Sequence, residues 1–520
     1  MRNSSWIRVC IIIFTVILLF AAAATADEEE KLYTAEDFVY KLNENDEAII
    51  TSYTGKEKVL NIPEQLEGHT VVELGSRCFQ MNDSLNEAYV PSSVQKMADR
   101  VFANCSKLKK VELAEGVTSI GLNCFFCCYR LKELNFPDSV TFIGSSPLAM
   151  CSQLKSVTVS ADHPYFSVVD GVLFTKPDHR IIWYPESKKD KEYTIPDGTE
   201  IIEGYTFAYC RAKSITIPDS VEKINPYAFI YCQNLTSFRM PPKVTEFDRG
   251  IVDCKKLQEI TVSEENKCFK AVDGVLYQTV THSLVYFPVA KQISEFVVPE
   301  DVEEICGAAF SKSKIKSIVF NNNLKHIGVD AFIDCDNLTE IILPEGLTYL
   351  NSFSFAYCDK LKKVTLPSTL ERFTANPFQD SQKIETFEIT KNGEHVAVID
   401  NFLISLDDGR LISYPAGAKE KDVTIPASVK IIERESFYNQ KQMKTLMIPE
   451  GVEAIRYRSF MGCKNLKKVY LPQSITNIDR SAFCTDDSLK KYIDAVYVVH
   501  KGSFAESYCQ AYGLKTEYAE

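Results

Sequence analysis

The apolar residues of this chain recur in one pattern with a constant spacing. A Val or Leu is followed after three positions by Ile, after five more by an aromatic or aliphatic residue, and after three more by Cys, as in Val221, Ile224, Phe229 and Cys232. A run of the type Leu-x-x-Val-x-Leu follows and usually ends in Pro. The core of the pattern occurs 14 times between residues 71 and 483, and the clearest copies are 23 residues apart. A constant period of this size indicates a solenoid whose stacked units share one core.

Each repeat predicts one strand and one corner. The Leu-x-x-Val-x-Leu run alternates as a strand does, so the strands of successive coils should form a parallel ladder with a spacing of about 4.8 Å. Pro suits the strand end because it has no N–H to donate and its φ angle is fixed. The Ala-Phe-x-x-Cys segment predicts a short helical or irregular corner, with Phe inside the coil.

Three insertions lengthen the array, at about residues 160–195, 263–298 and 390–425. Each contains two apolar runs around a polar tip, which predicts β-hairpins. Two interpretations stay open: the insertions brace a coil, or their aromatic residues contact a ligand, as aromatic residues often do at binding hot spots. The residues concerned are Trp183, Tyr184, Tyr286, Phe287 and Tyr414.

The two ends of the array read as caps, which a solenoid needs to cover its apolar ends. Residues 27–75 predict an N-terminal β cap with a hairpin near residues 48–55, and residues 76–489 form the solenoid. Residues 490–520 predict a C-terminal cap with a strand at 496–499 and a helix at 503–512, ended by Gly513.

Residues 1–26 have the features of a signal peptide. Arg2 and Arg8 precede an uncharged apolar run, and the small residues Ala24 and Ala26 predict cleavage after Ala26. The alternative is an uncleaved anchor, since eighteen uncharged residues are just long enough to span a bilayer. No second long apolar run follows. We therefore expect an exported protein, secreted or at the cell surface, with no membrane span after cleavage.

The 17 cysteines predict a structural role. Nine of them share one repeat position: Cys105, Cys128, Cys151, Cys210, Cys232, Cys254, Cys335, Cys358 and Cys463. Other copies hold Asn82, Ser313, Ser381, Gln440 or Asp486 there, and none of these could form a disulfide. A ladder of buried thiols that bond a nearby backbone turn fits this set better than disulfides do.

Charge and motifs exclude several classes of function. The net charge of −12 gives no support to nucleic-acid binding. The glycine spacing excludes GxGxxG and GxSxG motifs, and the seven histidines form neither HExxH nor a zinc pattern with Cys. We therefore predict no catalytic residue, no metal ligand and no cofactor.

The repeat resembles the BspA-like leucine-rich repeat family of the 23-residue type, which occurs on exported proteins. Ile217-Pro218 through Cys232 is the clearest copy, and the resemblance extends from about residue 62 to about residue 489. It implies a right-handed α/β solenoid, rich in β-structure, with a parallel strand ladder and β-hairpin inserts. It also implies that the strand face binds a partner.

Positions three and five of each strand should point outward from the strand face. The resulting candidate contacts, besides the insert residues Trp183, Tyr184 and Tyr286, are Lys110, Glu112, Glu133, Asn135, Thr158, Thr216, Arg239, Thr261, Ile342 and Tyr470. The central rows are small and hydroxylic, which β-propensity alone would also explain.

Two functions from different classes fit these features. The first is a non-enzymatic adhesion protein, expected to be a monomer, that binds a protein or glycoprotein of a host or its extracellular matrix. The second is a structural component of a cell envelope or surface layer. A hydrolase with residues on the inserts is a third reading, disfavoured because no unassigned stretch could hold a catalytic domain.

Overall fold

The computed structural model describes residues 31–391 and 393–519 as a β-solenoid. The expected signal peptide lies outside the described residues. Within the described residues, no helix is both long and apolar enough to cross a membrane. The predicted solenoid with parallel strand ladders is confirmed, and its coils carry two separate ladders.

The first ladder consists of the Leu-x-x-Val-x-Leu runs. Neighbouring strands are parallel and in register, as Ser237–Met240 is with Glu259–Val262. Central residues such as Phe238 point into the core and their neighbours point outward, which confirms the predicted alternation. The strands are Val59–Asn61, Glu87–Val90, Lys110–Leu113, Glu133–Leu134, Glu192–Thr194, Ser214–Thr216, Ser237–Met240, Glu259–Val262, Glu295–Val297, Ser317–Val319, Glu340–Ile342, Lys363–Leu366, Thr386–Ile389, Asp422–Thr424, Thr445–Met447, Lys468–Tyr470, Val496–Val499 and Lys515–Tyr518.

The second ladder is built around the Ile of each repeat. Its strands are short and parallel, and their last apolar residue, such as Ile224 in Lys223–Ile224, is buried. They are His69–Leu74, Lys96–Met97, Ser119–Ile120, Phe142–Ile143, Ile201–Ile202, Lys223–Ile224, Glu304–Ile305, His326–Ile327, Tyr349–Leu350, Arg372–Phe373, Ile431–Ile432, Ala454–Ile455 and Asn477–Ile478. Together the two ladders enclose the core.

Each insertion is a three-stranded antiparallel meander. The strands are Phe166–Val169, Val172–Thr175 and Arg180–Trp183; Phe269–Val272, Val275–Gln278 and Ser283–Tyr286; and Val396–Ile399, Phe402–Ser405 and Arg410–Ser413. The third strand of each meander pairs in parallel with the next strand of the second ladder, as Arg180–Trp183 does with Ile201–Ile202. The end of each insertion is therefore a coil of the solenoid, and only the hairpin before it is extra.

The corner between the ladders is held by a stack of aromatic rings. The Phe of each repeat lies over the Phe of the next, with ring centroids 4.7 Å apart for Phe310 and Phe332 and 6.0 Å for Phe355 and Phe378. The corner is irregular, and two of its residues are left-handed in most coils, as at Tyr227 (φ 62°) and Tyr231 (φ 57°). Residues other than Gly rarely adopt this conformation, so the repeat pattern did not predict it.

The cysteine ladder is confirmed by its hydrogen bonds. The Cys232 thiol donates to the backbone carbonyl of Phe207 in the preceding coil at 3.1 Å, and the backbone N–H of Cys210 donates to the same carbonyl at 2.9 Å. Ser381 donates its hydroxyl to Phe355 in the same way, at 2.8 Å. None of the sixteen described cysteines forms a disulfide. Burial raises the pKa of the Cys335 thiol to about 12.

The ends of the solenoid are covered by short elements. Tyr33–Ala35, Phe38–Leu42 and Ala48–Tyr53 form an antiparallel sheet that joins the second ladder through His69–Leu74. At the other end, helix α1 (Phe504–Ala511) has Ser503 as its N-cap and Gly513 after it in a left-handed conformation (φ 65°). The last strand of the first ladder, Lys515–Tyr518, was not predicted. The remaining strands are Gln65–Leu66, Phe229–Ile230 and Ile251–Val252.

The thiol hydrogen bonds predict an order of stability among variants of Cys358. In Cys358→Ala the Phe332 carbonyl loses its thiol donor, so the free energy of unfolding should fall by about 1 kcal/mol or more. Cys358→Ser should stay close to the wild type, because a serine already fills this position at 381. Urea unfolding measures the difference. Cys268→Ala, outside the ladder and only half-buried, is the control, and an equal loss there would contradict the prediction.

Candidate binding face

The outward residues of the first ladder form an exposed surface, which we call the strand face. Ten of the candidate contacts lie on it, half-buried or exposed: Lys110, Glu112, Glu133, Asn135, Thr158, Thr216, Arg239, Thr261, Ile342 and Tyr470. They point outward because the residues between them, such as Val111 and Ile260, are buried in the core. Whether they contact a partner remains a prediction.

The insert aromatic residues do not belong to this face. Trp183 is 2% exposed, Tyr184 1% and Tyr286 5%, and Phe287 and Tyr414 are buried as well. Tyr184 lies on Phe207 with ring centroids 5.2 Å apart, so it occupies the place of a corner Phe. The burial of these rings contradicts the prediction that they contact a ligand, because the strands that contain or precede them belong to the coil and turn them into its core. It favours the interpretation that the insertions brace a coil.

After each insertion, the first ladder resumes earlier in the chain than the sequence analysis predicted. Glu192–Thr194, Glu295–Val297 and Asp422–Thr424 pair in register with the strands that follow them. These strands were hidden because they fall inside the spans assigned to the insertions. The sequence did contain evidence for two of these strands, since Tyr-Thr-Ile-Pro at 193–196 and Val-Thr-Ile-Pro at 423–426 match the end of the strand pattern.

An exposed apolar row crosses the middle of the strand face. Val297 is 60% exposed, Val319 50% and Ile342 59%. Val297 lies opposite Val319 on the neighbouring strand, and Ile342 lies on the strand after that, opposite Thr365. Isolated exposed apolar residues are common, whereas several on consecutive strands form a contact patch of the kind that partners bury.

The charged residues of the strand face pair with one another across the strands. Lys363 lies 2.9 Å from Glu388 and 3.8 Å from Glu340, and its hydrogen bond to Glu388 raises the pKa of Lys363. Lys110 and Glu112 are 2.7 Å apart on one strand. Exposed pairs of this kind contribute little to stability.

Hairpin turns divide the strand face into segments. The Asp273-Gly274 turn packs on the strand Glu259–Val262, and the Gly274 carbonyl accepts the N–H of Ile260 at 2.9 Å. Gly274 has φ 74°, and a Cβ there would lie 3.2 Å from the Glu259 Cα. In the third hairpin Asn401 takes this place with φ 70°, and its side-chain oxygen accepts the N–H of Phe387 at 2.8 Å. The second and third hairpin turns therefore interrupt the face by accepting a backbone N–H of the strand on which they pack.

Three buried carboxyl groups have raised pKa values. Burial raises the pKa of Glu186 to about 8, of Glu435 to about 7 and of Asp330 to about 6. They belong to separate coils, and burial is the first cause of each shift. In the described ranges, no group of three His, Cys, Asp or Glu side chains is arranged to hold a metal ion.

Two ladders of parallel strands, a ring-stacked corner and an exposed strand face define a leucine-rich repeat solenoid. The sequence model of the BspA type leucine rich repeat region matches residues 69–168, 186–288, 283–399 and 416–510, with six copies. These segments include most of the chain. The protein therefore belongs to the BspA type leucine-rich repeat family.

Several solved structures are similar to this chain at low identity. A leucine rich cell surface protein of Faecalibacterium prausnitzii is 21% identical with a TM-score of 0.33, over 95% of this chain and 100% of that one. The pneumococcal vaccine antigen PcpA is 16% identical with a TM-score of 0.32, over 95% and 100%. A leucine-rich repeat protein of Eubacterium ventriosum is 18% identical with a TM-score of 0.40, over 72% and 99%. No curated protein matches the chain.

The raised pKa of Glu186 predicts a pH dependence of stability. A carboxyl whose pKa is raised from 4.5 to about 8 keeps its proton in the folded state at neutral pH. Its favourable contribution to the free energy of unfolding is therefore complete below pH 4.5 and is lost as the pH rises towards 8. Glu186→Gln removes this loss. At pH 9 the variant should exceed the wild type by roughly a few kcal/mol in unfolding free energy, and at pH 4 the two should agree.

Thermal or urea unfolding at both pH values measures this difference. Glu192→Gln, an exposed substitution in the same coil, is the control and should show no such trend. A Glu186→Gln variant that is less stable than the wild type at pH 9 would contradict the assignment.

Proposed function

We propose that this chain is an exported, non-enzymatic binding protein that uses its strand face to bind a protein or glycoprotein partner at or outside the cell surface. The observation that carries the proposal is the apolar row Val297, Val319 and Ile342, exposed on three consecutive strands. Membership of the BspA type family supports a binding role, since repeats of this class present extended surfaces to partners.

The composition of the strand face favours a macromolecular partner. The face combines a central apolar row with small hydroxylic residues and paired charges at its margins, and this arrangement resembles the core and rim of protein interfaces. An open surface of parallel strands gives a small metabolite little enclosure. The expected partner is therefore a protein or a glycoprotein, with the apolar row as the central contact.

Surface location is part of the proposal. The similar protein of Faecalibacterium prausnitzii is described as a cell surface protein. The expected signal peptide at residues 1–26 would deliver this chain to the same compartment. A monomer is expected, because the apolar row is short compared with the surface that a stable dimer buries.

A pair of charge substitutions tests the strand face. Residues 27–520 are immobilised and exposed to extracellular-matrix and mucosal glycoprotein fractions, and the bound species are identified by mass and then titrated one by one. We expect Val319→Glu with Ile342→Glu to weaken the binding of the captured partner by about tenfold or more, because charges placed at the centre of a desolvated contact are costly.

The matched control is Phe142→Glu with Val280→Glu. Both residues are exposed apolar residues outside the strand face, on the second ladder and on a hairpin turn. A partner lost only from the strand-face variant supports the proposal. Equal loss from both variants, or retention by both, would contradict it. If folded wild-type protein captures no partner, the structural envelope component becomes the better account.

A further inference from the structure

A row of lysines follows one edge of the solenoid, at the position just before each strand of the first ladder. We call the residues Lys109, Lys132, Lys155, Lys191 and Lys213 the basic edge. They form two groups on either side of the first hairpin turn. In the first group the N–H of Lys132 donates to the carbonyl of Lys109 at 2.9 Å, and in the second the N–H of Lys213 donates to the carbonyl of Lys191 at 2.6 Å. All five lysines are exposed.

The fold does not require lysine at this position. Further along the solenoid the same row holds the neutral residues Thr236, Gln258 and Thr339 as well as further lysines, at 316, 362, 421, 444 and 467. Consecutive parallel strands are about 4.8 Å apart, and like charges at that separation destabilise a sheet. Lysines on neighbouring strands of this row are therefore a cost to stability that neutral residues would avoid.

The chain itself does not neutralise the basic edge. In the described residues, 31–391 and 393–519, none of its five ammonium groups forms an ion pair. Lysines near the second ladder behave differently: Lys96 lies 3.0 Å from Glu73, and Lys325 lies 2.6 Å from Glu303. The one carboxylate in the adjoining hairpin turn, Asp170, is itself paired with Lys188 at 2.7 Å. The basic edge thus consists of lysines without an ion pair on a protein whose net charge is −12.

The edge is wider than one row. Lys107, Arg130 and Arg211 lie two positions before Lys109, Lys132 and Lys213 and are exposed as well. The residue between the two cations is a buried Leu108 or Leu131 in two of these coils. Three coils of the edge therefore offer cationic groups on both sides of a residue that faces the core.

We propose that the basic edge is a binding site for a linear acidic polysaccharide. A row of cations that is doubled in three coils matches a polymer with carboxylate or sulfate groups repeated along its length, and ammonium groups bind such anions without a demand on geometry. Single-stranded nucleic acid is bound through stacked aromatic rings as well as cations, and the residues between the paired cations here are the buried Leu108, Leu131 and Ala212. The site is distinct from the strand face and does not rest on the function proposed for it.

Binding to heparin, a linear sulfated polysaccharide, tests the proposal. The protein of residues 27–520 is titrated with heparin at low and high salt, and uncharged dextran serves as the neutral polymer. The test variant replaces Lys109, Lys132, Lys191 and Lys213 by Thr, the residue found in this row at 236 and 339. The control replaces Lys96, Lys223, Lys325 and Lys430 by Thr, which changes the net charge equally on exposed residues near the second ladder.

We expect salt-dependent binding of heparin, no binding of dextran, and an affinity at least about tenfold lower for the edge variant than for the control. The edge variant should unfold at no lower temperature than the wild type, which excludes misfolding as the cause. The proposal is overturned if both variants bind heparin alike, if the wild type does not bind it at low salt, or if single-stranded DNA or anionic phospholipid vesicles bind more tightly than heparin.

Discussion

The carbonyl of the corner Phe is the contact on which the stacking of this solenoid depends. It accepts a backbone N–H from its own coil and a thiol from the next, as Phe207 does from Cys210 and Cys232. A coil of about 23 residues is too small to bury its own apolar face. Because this carbonyl accepts two hydrogen bonds, it joins each coil to its neighbour at a buried point, and the Phe rings stack directly beside it. Small donors such as Ser381 serve the same carbonyl, which explains the substitutions along the ladder.

Because one register is kept from coil to coil, residues at equal repeat positions line up in rows. The strand face carries the apolar row Val297, Val319 and Ile342, and the edge beside it carries the lysine row that begins at Lys109. Each row extends along the solenoid axis, and a substitution in one repeat changes one point of the row. Two ligands of different chemistry, a protein and an acidic polymer, could then be bound by neighbouring rows of one array.

The hairpins interrupt these rows without interrupting the core. Their third strands continue the second ladder, and buried ion pairs fix two of them: Arg180 with Glu203 at 2.8 Å, and Arg410 with Glu433 at 3.1 Å. Removing one partner of such a pair leaves an uncompensated charge and costs about 3–5 kcal/mol. The second hairpin has Ser283 and Cys306 at these positions instead. The hairpins thus divide the strand face into segments while the aromatic stack restarts at Tyr184, Phe287 and Tyr414.

The sequence by itself determined the solenoid, the outward strand positions and the thiol ladder, because a constant period ties each residue type to one place in a coil. It could not separate the hairpins from the coils that follow them, since both are apolar alternating runs and only the pairing of Arg180–Trp183 with Ile201–Ile202 distinguishes them. That pairing buries Trp183 and Tyr184, which the composition had suggested as contacts. The left-handed corner at Tyr227 was likewise decided by tertiary packing, which holds a bulky side chain in a conformation that its local preference disfavours.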